Sequence, residues 1–499
     1  MRSRRRATLA AARAFLLAGL CYSAWVPLQF LNPGVDRSWA YLSELAAADQ
    51  PWSWLVRGAD VLVGAACLAG VALAPDERPG RAGAVGWLGL ALFGVMTVLD
   101  AGAFPLDCAT LSAPSCAAAE AVGRVSASHV IHAAASSLAL AGAAVSLVAL
   151  PVSALRRRRW PLLVYGGAAL AALMAAATVW TLSLVAAVET ARGGPGGHDG
   201  PVGTAQRFQV GVVALWLLLV GAALWRDRTR AAPPKSHVLL EGAGTPPVVI
   251  CAGMAGAWFH WDRVATSLSP DHLVIRFDRP GLGLSSGHLG PPTLREEAER
   301  IAALADSAIV VGHSVAGRHA EAFARLNPER AAGLVLVDPS CERQVRRRSG
   351  PRAAVVRAVQ RALPALGGTF GATALARLVL PLAHRLLMGP HDRARVVYGR
   401  GRVLAAALAE WLAYPDMAAE LGDLRESHPF PAIPVVILSA GPEDPCHRAL
   451  AGLLNARLIS LPRSGHEVHL DDPEAIVEAV GTLGGLRGGP RGTPDKRYG

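Results

Sequence analysis

Lysine is almost missing from this chain of 499 residues: it occurs only at Lys235 and Lys496, although Lys and Arg together number 49. The net charge of +11 is therefore carried by arginine, gathered in short runs between apolar stretches. Such punctuation fits membrane topology better than a face for nucleic acid, and no nucleic-acid partner is expected. The seven cysteines include no C-x-x-C pair, so no zinc or dithiol motif is present, and no metal or cofactor is expected. The Arg-rich start runs into a long apolar segment without an A-x-A end, which excludes an evident cleavable signal peptide. Charged residues are only 17 % of the chain against 52 % hydrophobic. That balance argues against a wholly soluble protein.

What is there, up to about residue 230, is a series of apolar segments near bilayer length. They fall at about Ala7–Phe30, Leu55–Leu73, Ala84–Phe104, His129–Val152, Trp160–Val188 and Phe208–Trp225. Each is Ala, Leu, Val and Gly on all sides, without the polar face of a soluble helix. Arginines Arg2 to Arg6, Arg78, Arg81, Arg156 to Arg159 and Arg226 to Arg230, with Lys235, mark alternate connections. The positive-inside rule then places both termini in the cytoplasm of a multi-pass protein. The opposite connections hold Asn32-Pro33, Ser43-Glu44-Leu45, Phe104-Pro105-Leu106-Asp107-Cys108, Cys116 and the Gly-rich stretch Gly193–Gly203. Cys108 and Cys116 are either a small disulfide loop or two free thiols. Asp100, His129 and His132 lie at membrane depth, where ionisable groups are costly. They form either a polar or metal-binding site with Asp107 and Ser43, or a structural pairing. Asn32-Pro33, Ser43-Glu44-Leu45, Phe104-Pro105-x-Asp107, His129 and His132 make this half resemble an uncharacterised family of bacterial six-helix membrane domains. The resemblance implies six spans and no activity.

Residues 229–236 contain Pro233-Pro234 and read as a stiff linker. Beyond it, β-branched runs alternate with helical stretches: His237–Leu240, Val248–Ala252, Leu273–Asp278, Ala308–Gly312, Gly333–Asp338, Val435–Ala440 and Ala456–Leu461. That alternation predicts a mostly parallel sheet covered by helices. The fourth run ends in Gly312-His313-Ser314-Val315-Ala316-Gly317, a strand–turn–helix context that holds a serine in a strained conformation. Ala252-Gly253-Met254-Ala255-Gly256, Asp278-Arg279-Pro280-Gly281-Leu282-Gly283-Leu284-Ser285 and Ser464-Gly465-His466 follow in order around it. With these four motifs, residues of about 236–486 resemble the α/β-hydrolase family, with Ala252 where the family usually has His and Ala316 where it usually has Gly.

A serine hydroxyl needs a base, and the base needs an orienting acid. The resemblance implies Ser314 as nucleophile and His466 as base. His469 competes for that role, and His313 is read as packed. Asp444, in the turn Gly441-Pro442-Glu443-Asp444-Pro445, is the first choice for the acid, with Asp338 and Glu443 as alternatives. The backbone N–H groups of Met254 and Val315 are the expected oxyanion donors, each worth roughly 3–4 kcal/mol in the transition state. Residues 340–433 are expected to form a helical, basic cap containing Arg346 to Arg348, and 487–499 a disordered tail. The expectation is a multi-domain protein: an all-α six-span domain at 1–228, then an α/β-hydrolase domain at 237–486. It would cleave a lipophilic ester or thioester beside the bilayer. An acyltransferase, a haloperoxidase-like enzyme or a non-catalytic sensor are the other readings.

Overall fold

The computed structural model describes residues 2–75, 80–157, 160–191, 200–227, 236–286, 291–341, 348–442 and 444–485. Expectations for Arg78, Arg158, Arg159, Arg192, Arg228, Arg230, Lys235, Arg346, Arg347, Glu443, the linker 229–235 and the tail 487–499 fall outside the described residues. The chain divides into two compact units, one of Arg2–Ala231 with Thr369–Gly371 and the other of Ala232–Gly368 with Ala372–Gly499.

The first unit is helical: α1 (Arg2–Cys21), α2 (Trp25–Leu28), α3 (Ser53–Leu73), α4 (Gly80–Gly102), α5 (Pro114–Ala121), α6 (Ala127–Arg156), α7 (Pro161–Ala191) and α8 (Val202–Asp227). Six apolar segments of this region, Arg6–Leu28 and those within α3, α4, α6, α7 and α8, are long and apolar enough to cross a membrane. Their inner faces meet through Phe15, Trp87, Phe93, Leu147, Leu150 and Trp216, all under 2 % exposed. Outward residues are apolar too, such as Leu20, Val179 and Leu182, each more than 60 % exposed. An apolar exterior over an apolar interior is what lipid requires. Small residues let helices close on one another. A Cβ on Gly89 of α4 would lie 2.6 Å from the carbonyl of Gly142 in α6, and one on Gly142 would lie 2.6 Å from the carbonyl of Gly89.

The second unit is α/β. Its strands are β1 (His237–Glu241), β2 (Val248–Cys251), β3 (Val274–Asp278), β4 (Ala308–His313), β5 (Ala331–Val337), β6 (Val435–Ala440) and β7 (Arg457–Leu461). They form one sheet in the order β1-β3-β2-β4-β5-β6-β7, parallel except for β1 against β3. Helices are α9 (Asp262–Leu268), α10 (Leu294–Ala302), α11 (Ala316–Leu326), α12 (Gly350–Leu366), α13 (Phe370–Met388), α14 (Ala394–Tyr398), α15 (Gly401–Ser427), α16 (Pro445–Leu454), α17 (Val468–Asp471) and α18 (Pro473–Gly485). Strand residues alternate between two buried layers. Val249, Ile275, Val310, Leu334 and Ile437 face a core shared with α10, α11 and α15. Val248, Val274, Ile309, Val335 and Val436 face one shared with α9 and α18. Both faces being covered explains why the strands read as unbroken apolar runs.

The expected cap region carries α12 to α15. Within it α13 is, among the described residues, a seventh helix long and apolar enough to cross a membrane, at mean hydropathy 1.2. It was expected only as cap.

Candidate active site

Ser314 sits between the end of β4 and the start of α11, at φ 54°. A left-handed backbone at a non-glycine residue costs of order 1–3 kcal/mol, and the surrounding packing fixes it. Its N–H donates to the carbonyl of Val337 and its carbonyl accepts from Ser340, both at 3.0 Å. Only small neighbours permit this. A Cβ on Gly312 would lie 2.5 Å from the carbonyl of Ala316, and one on Gly317 would lie 2.8 Å from Cβ of Pro339. Ala316, in place of the usual glycine, is itself fully buried without displacing the turn.

His466 is reached from the loop after β7. Its Nδ1 donates to Oδ2 of Asp338 at 2.5 Å. Asp338 follows β5 at φ 39°, another strained non-glycine position, and its Oδ1 accepts from the N–H of Ala440 at 2.9 Å. Burial alone would raise the Asp338 carboxyl, but the bonds from His466 and Ala440 outweigh it and hold the group below its ordinary value. The same bond raises His466 above the ordinary imidazole value, against burial. With Nδ1 committed to the carboxylate, Nε2 is the free nitrogen of the ring. This corrects the first-choice acid. Asp444 is not the carboxylate beside His466: it caps α16, accepting from the N–H of Cys446 at 2.7 Å. The turn that looked like an acid loop is a helix start, Asp before Pro at the first position.

His313 is buried, and its Nε2 lies 2.9 Å from the carbonyl oxygen of His466. Burial first, then the neighbouring His466, pushes it down to about 4. It is packed, as its position suggested. His469 is buried as well, stacked on Trp261 at 4.4 Å between ring centroids.

The backbone N–H groups of Met254 and Val315 donate to no protein group among the described residues. Val315 opens α11, where the helix dipole favours negative charge. The loop carrying Met254 is braced by Arg279 of the Asp278-Arg279-Pro280 motif and by two residues that the motif reading did not single out, Glu410 and Tyr398. Arg279 donates to the carbonyls of Ala252 and, at 2.7 Å, of Gly253. Its Nε also donates to Oε1 of Glu410 at 2.6 Å. Glu410 Oε2 accepts from the N–H of Ala255 at 2.9 Å, and the Tyr398 hydroxyl donates to the carbonyl of Ala255 at 2.9 Å. Glu410 and Tyr398 come from α15 and α14, more than 100 residues away in sequence, which is why no local motif flags them.

Two families match this chain. A family model described as "Protein of unknown function (DUF998)" matches residues 15–223, and one described as "Alpha/beta hydrolase family" matches residues 248–479. The chain is a DUF998 domain joined to an alpha/beta hydrolase domain. Two curated relatives share the name "Putative carbamate hydrolase RutD". The one from Azorhizobium caulinodans is 34 % identical over 104 residues, covering 20 % of this chain and 39 % of the relative. The one from Caulobacter vibrioides is 28 % identical over 271 residues, covering 49 % and 93 %. Among solved structures, an enol-lactonase from Burkholderia xenovorans LB400 has TM-score 0.38 at 22 % identity, covering 50 % of this chain and 96 % of its own. Fold, family and relatives support hydrolase activity for the second unit.

In the DUF998 domain the residues named from sequence separate into two groups. Asp107 accepts from the N–H and hydroxyl of Ser126 at 2.6 and 2.7 Å, and His129 Nδ1 accepts from the N–H of Asp107 at 3.2 Å. Those are structural pairings. Cys108 and Cys116 are disulfide-bonded beside them. Asp100 instead meets His132 at 3.0 Å and the hydroxyl of Ser136 at 3.0 Å. These three, with Tyr22, Ser43 and Asp60, line a cavity of about 200 Å³.

Proposed function

We propose that the hydrolase domain cleaves a carboxylic ester, thioester or related acyl compound through an acyl-enzyme on Ser314. His466 takes the serine proton through Nε2 and later returns it to the leaving group. Asp338 holds the tautomer and stabilises the imidazolium. The N–H groups of Met254 and Val315 receive the developing oxyanion. The observation that carries this reading is the 2.5 Å contact of His466 with Asp338, made by the ring of a loop that also lies against the elbow residue His313. No hydrogen bond joins Ser314 Oγ to His466 among the described residues; catalytic contacts of this kind often tighten only with substrate. A carbamate, the compound class in the relatives' name, offers the same kind of carbonyl to attack.

The substrate is proposed to be lipophilic. On α13, Leu378, Leu382 and Leu386 recur every four residues, and each is more than half exposed. An apolar stripe of that kind on a cap suits a lipid surface. Arginine placement supports six spans with the hydrolase in the cytoplasm. Kinetics of purified full-length protein on a short ester test the proposal. Asp338→Asn is expected to lose about 10⁴-fold in kcat, and Asp444→Asn little. The reverse ranking would reject the assignment.

A further inference from the structure

Beside the elbow lies a group of side chains that the acyl chemistry leaves idle. His313 precedes the serine, Glu467 follows the base, and His469 stands two residues further on in α17. One donor atom from each lies within 4.8 Å of the others. His469 is 2 % exposed, and neither of its ring nitrogens has a hydrogen-bond partner. Glu467 Oε2 is buried and lacks one as well. The two groups face each other, Nε2 to Oε2, at 3.6 Å. That is too long for a hydrogen bond. Each buried polar atom left unpaired costs about 1–3 kcal/mol, so such atoms converging on one point call for an occupant.

Donors on one tetrahedral cation, with bonds of about 2.0–2.2 Å, stand roughly 3.3–3.6 Å apart; Glu467 and His469 already stand 3.6 Å apart, and the set of three, within 4.8 Å, would draw in slightly around a cation. Two histidines and a glutamate are a donor set that holds zinc with one position left open. Trp261, stacked on His469, closes one side. His313 Nε2 lies against the carbonyl oxygen of His466, which couples the cluster to the base.

We propose that His313, Glu467 and His469 bind one divalent transition-metal cation of the zinc type, with water in the fourth position. Occupancy slows turnover by fixing the residues on either side of the base. This second half rests on the hydrolase reading above; the binding half does not.

The probe is zinc alone, added to full-length protein stripped with a chelator and then dialysed. Bound metal is counted by elemental analysis, and cobalt substitution reports geometry through its visible absorption. One retained equivalent is expected, with tetrahedral cobalt bands. Affinity should fall by roughly 100-fold or more in His469→Gln and in Glu467→Gln. Glu467 is the more accessible of the two, so its variant guards against a folding defect, and thermal melts of both verify the fold. Ser314→Ala should retain zinc like the parent even though it cannot turn over ester, which separates the site from the hydrolase reading. No retained zinc in the parent, or equal retention in both ligand variants, would overturn the site. Retained zinc with unchanged hydrolysis of a short ester would overturn the inhibitory role.

Discussion

Asp338 and Asp444 both stand just after a strand and both precede a proline or glycine-rich turn. Sequence alone could not tell which of them meets His466, because the contact joins residues 128 positions apart. Their substitutions should behave oppositely. Asp444→Ala removes a helix cap and should cost about 1 kcal/mol of stability, with kcat nearly unchanged. A denaturant melt and a kcat measurement on the same sample check this. For Asp338 the readout is pH. A general base must be neutral, and Asp338 holds His466 above the ordinary imidazole value. Activity therefore fails as pH falls through that raised value and is complete above it. In Asp338→Asn the residual activity should keep its acid limb but move it to lower pH. A limb that stays put or rises would show that another carboxylate holds His466. The placement of Ser314 in a strained turn and of His466 on a loop beside it was legible in sequence because each sits in a short motif of fixed local geometry. The acid, Arg279's partner Glu410 and the idle cluster were not, because each is assembled across separate elements.

All seven strands lie where β-branched runs placed them, within a few residues; the five inner ones are buried on both faces, which leaves an unambiguous signal. The membrane helices were legible for a related reason: lipid tolerates no polar face. What sequence did not show is how closely helices approach. The pairing of Gly89 with Gly142 leaves no room for a Cβ on either side. Gly142→Val should therefore separate α4 from α6, lowering the melting temperature of the detergent-solubilised protein and its yield in membranes. Gly211→Ala, where an added Cβ meets nothing within 4 Å, is the control and should leave both unchanged. α13 lies in the stretch expected to form a helical, basic cap, and its leucine stripe faces outward. Leu382→Glu with Leu386→Glu should reduce turnover of long-chain esters in vesicles several-fold and leave short soluble esters unaffected. Equal effects on both substrates would mean that α13 shapes the pocket and does not meet lipid.

At the scale of the whole molecule, the proposed six-span topology would put the connection holding Cys108–Cys116 on the side of the membrane opposite the hydrolase domain. In the structure that domain also pairs Cys341 with Cys446, Cα to Cα 6.0 Å, a pairing that the cysteine spacing did not point to and that the redox state of the compartment can leave closed or open. In a bacterial inner membrane only one side is oxidising. The proposed orientation therefore predicts that Cys341 and Cys446 are thiols in the cell, while Cys108 and Cys116 are bonded. Alkylation of intact cells during rapid lysis, followed by peptide mass analysis, reads this directly. Alkylated Cys108 with protected Cys341 would invert the topology.

The central claim is that Ser314 is an activated nucleophile, and a fluorophosphonate tests it most directly. Full-length protein in its native membrane is exposed to the probe, digested, and the modified residue is located by mass spectrometry. A single adduct on Ser314, lost in Ser314→Ala and much slowed in His466→Ala, is the predicted result. An unlabelled parent, or an adduct that persists in Ser314→Ala, would contradict it.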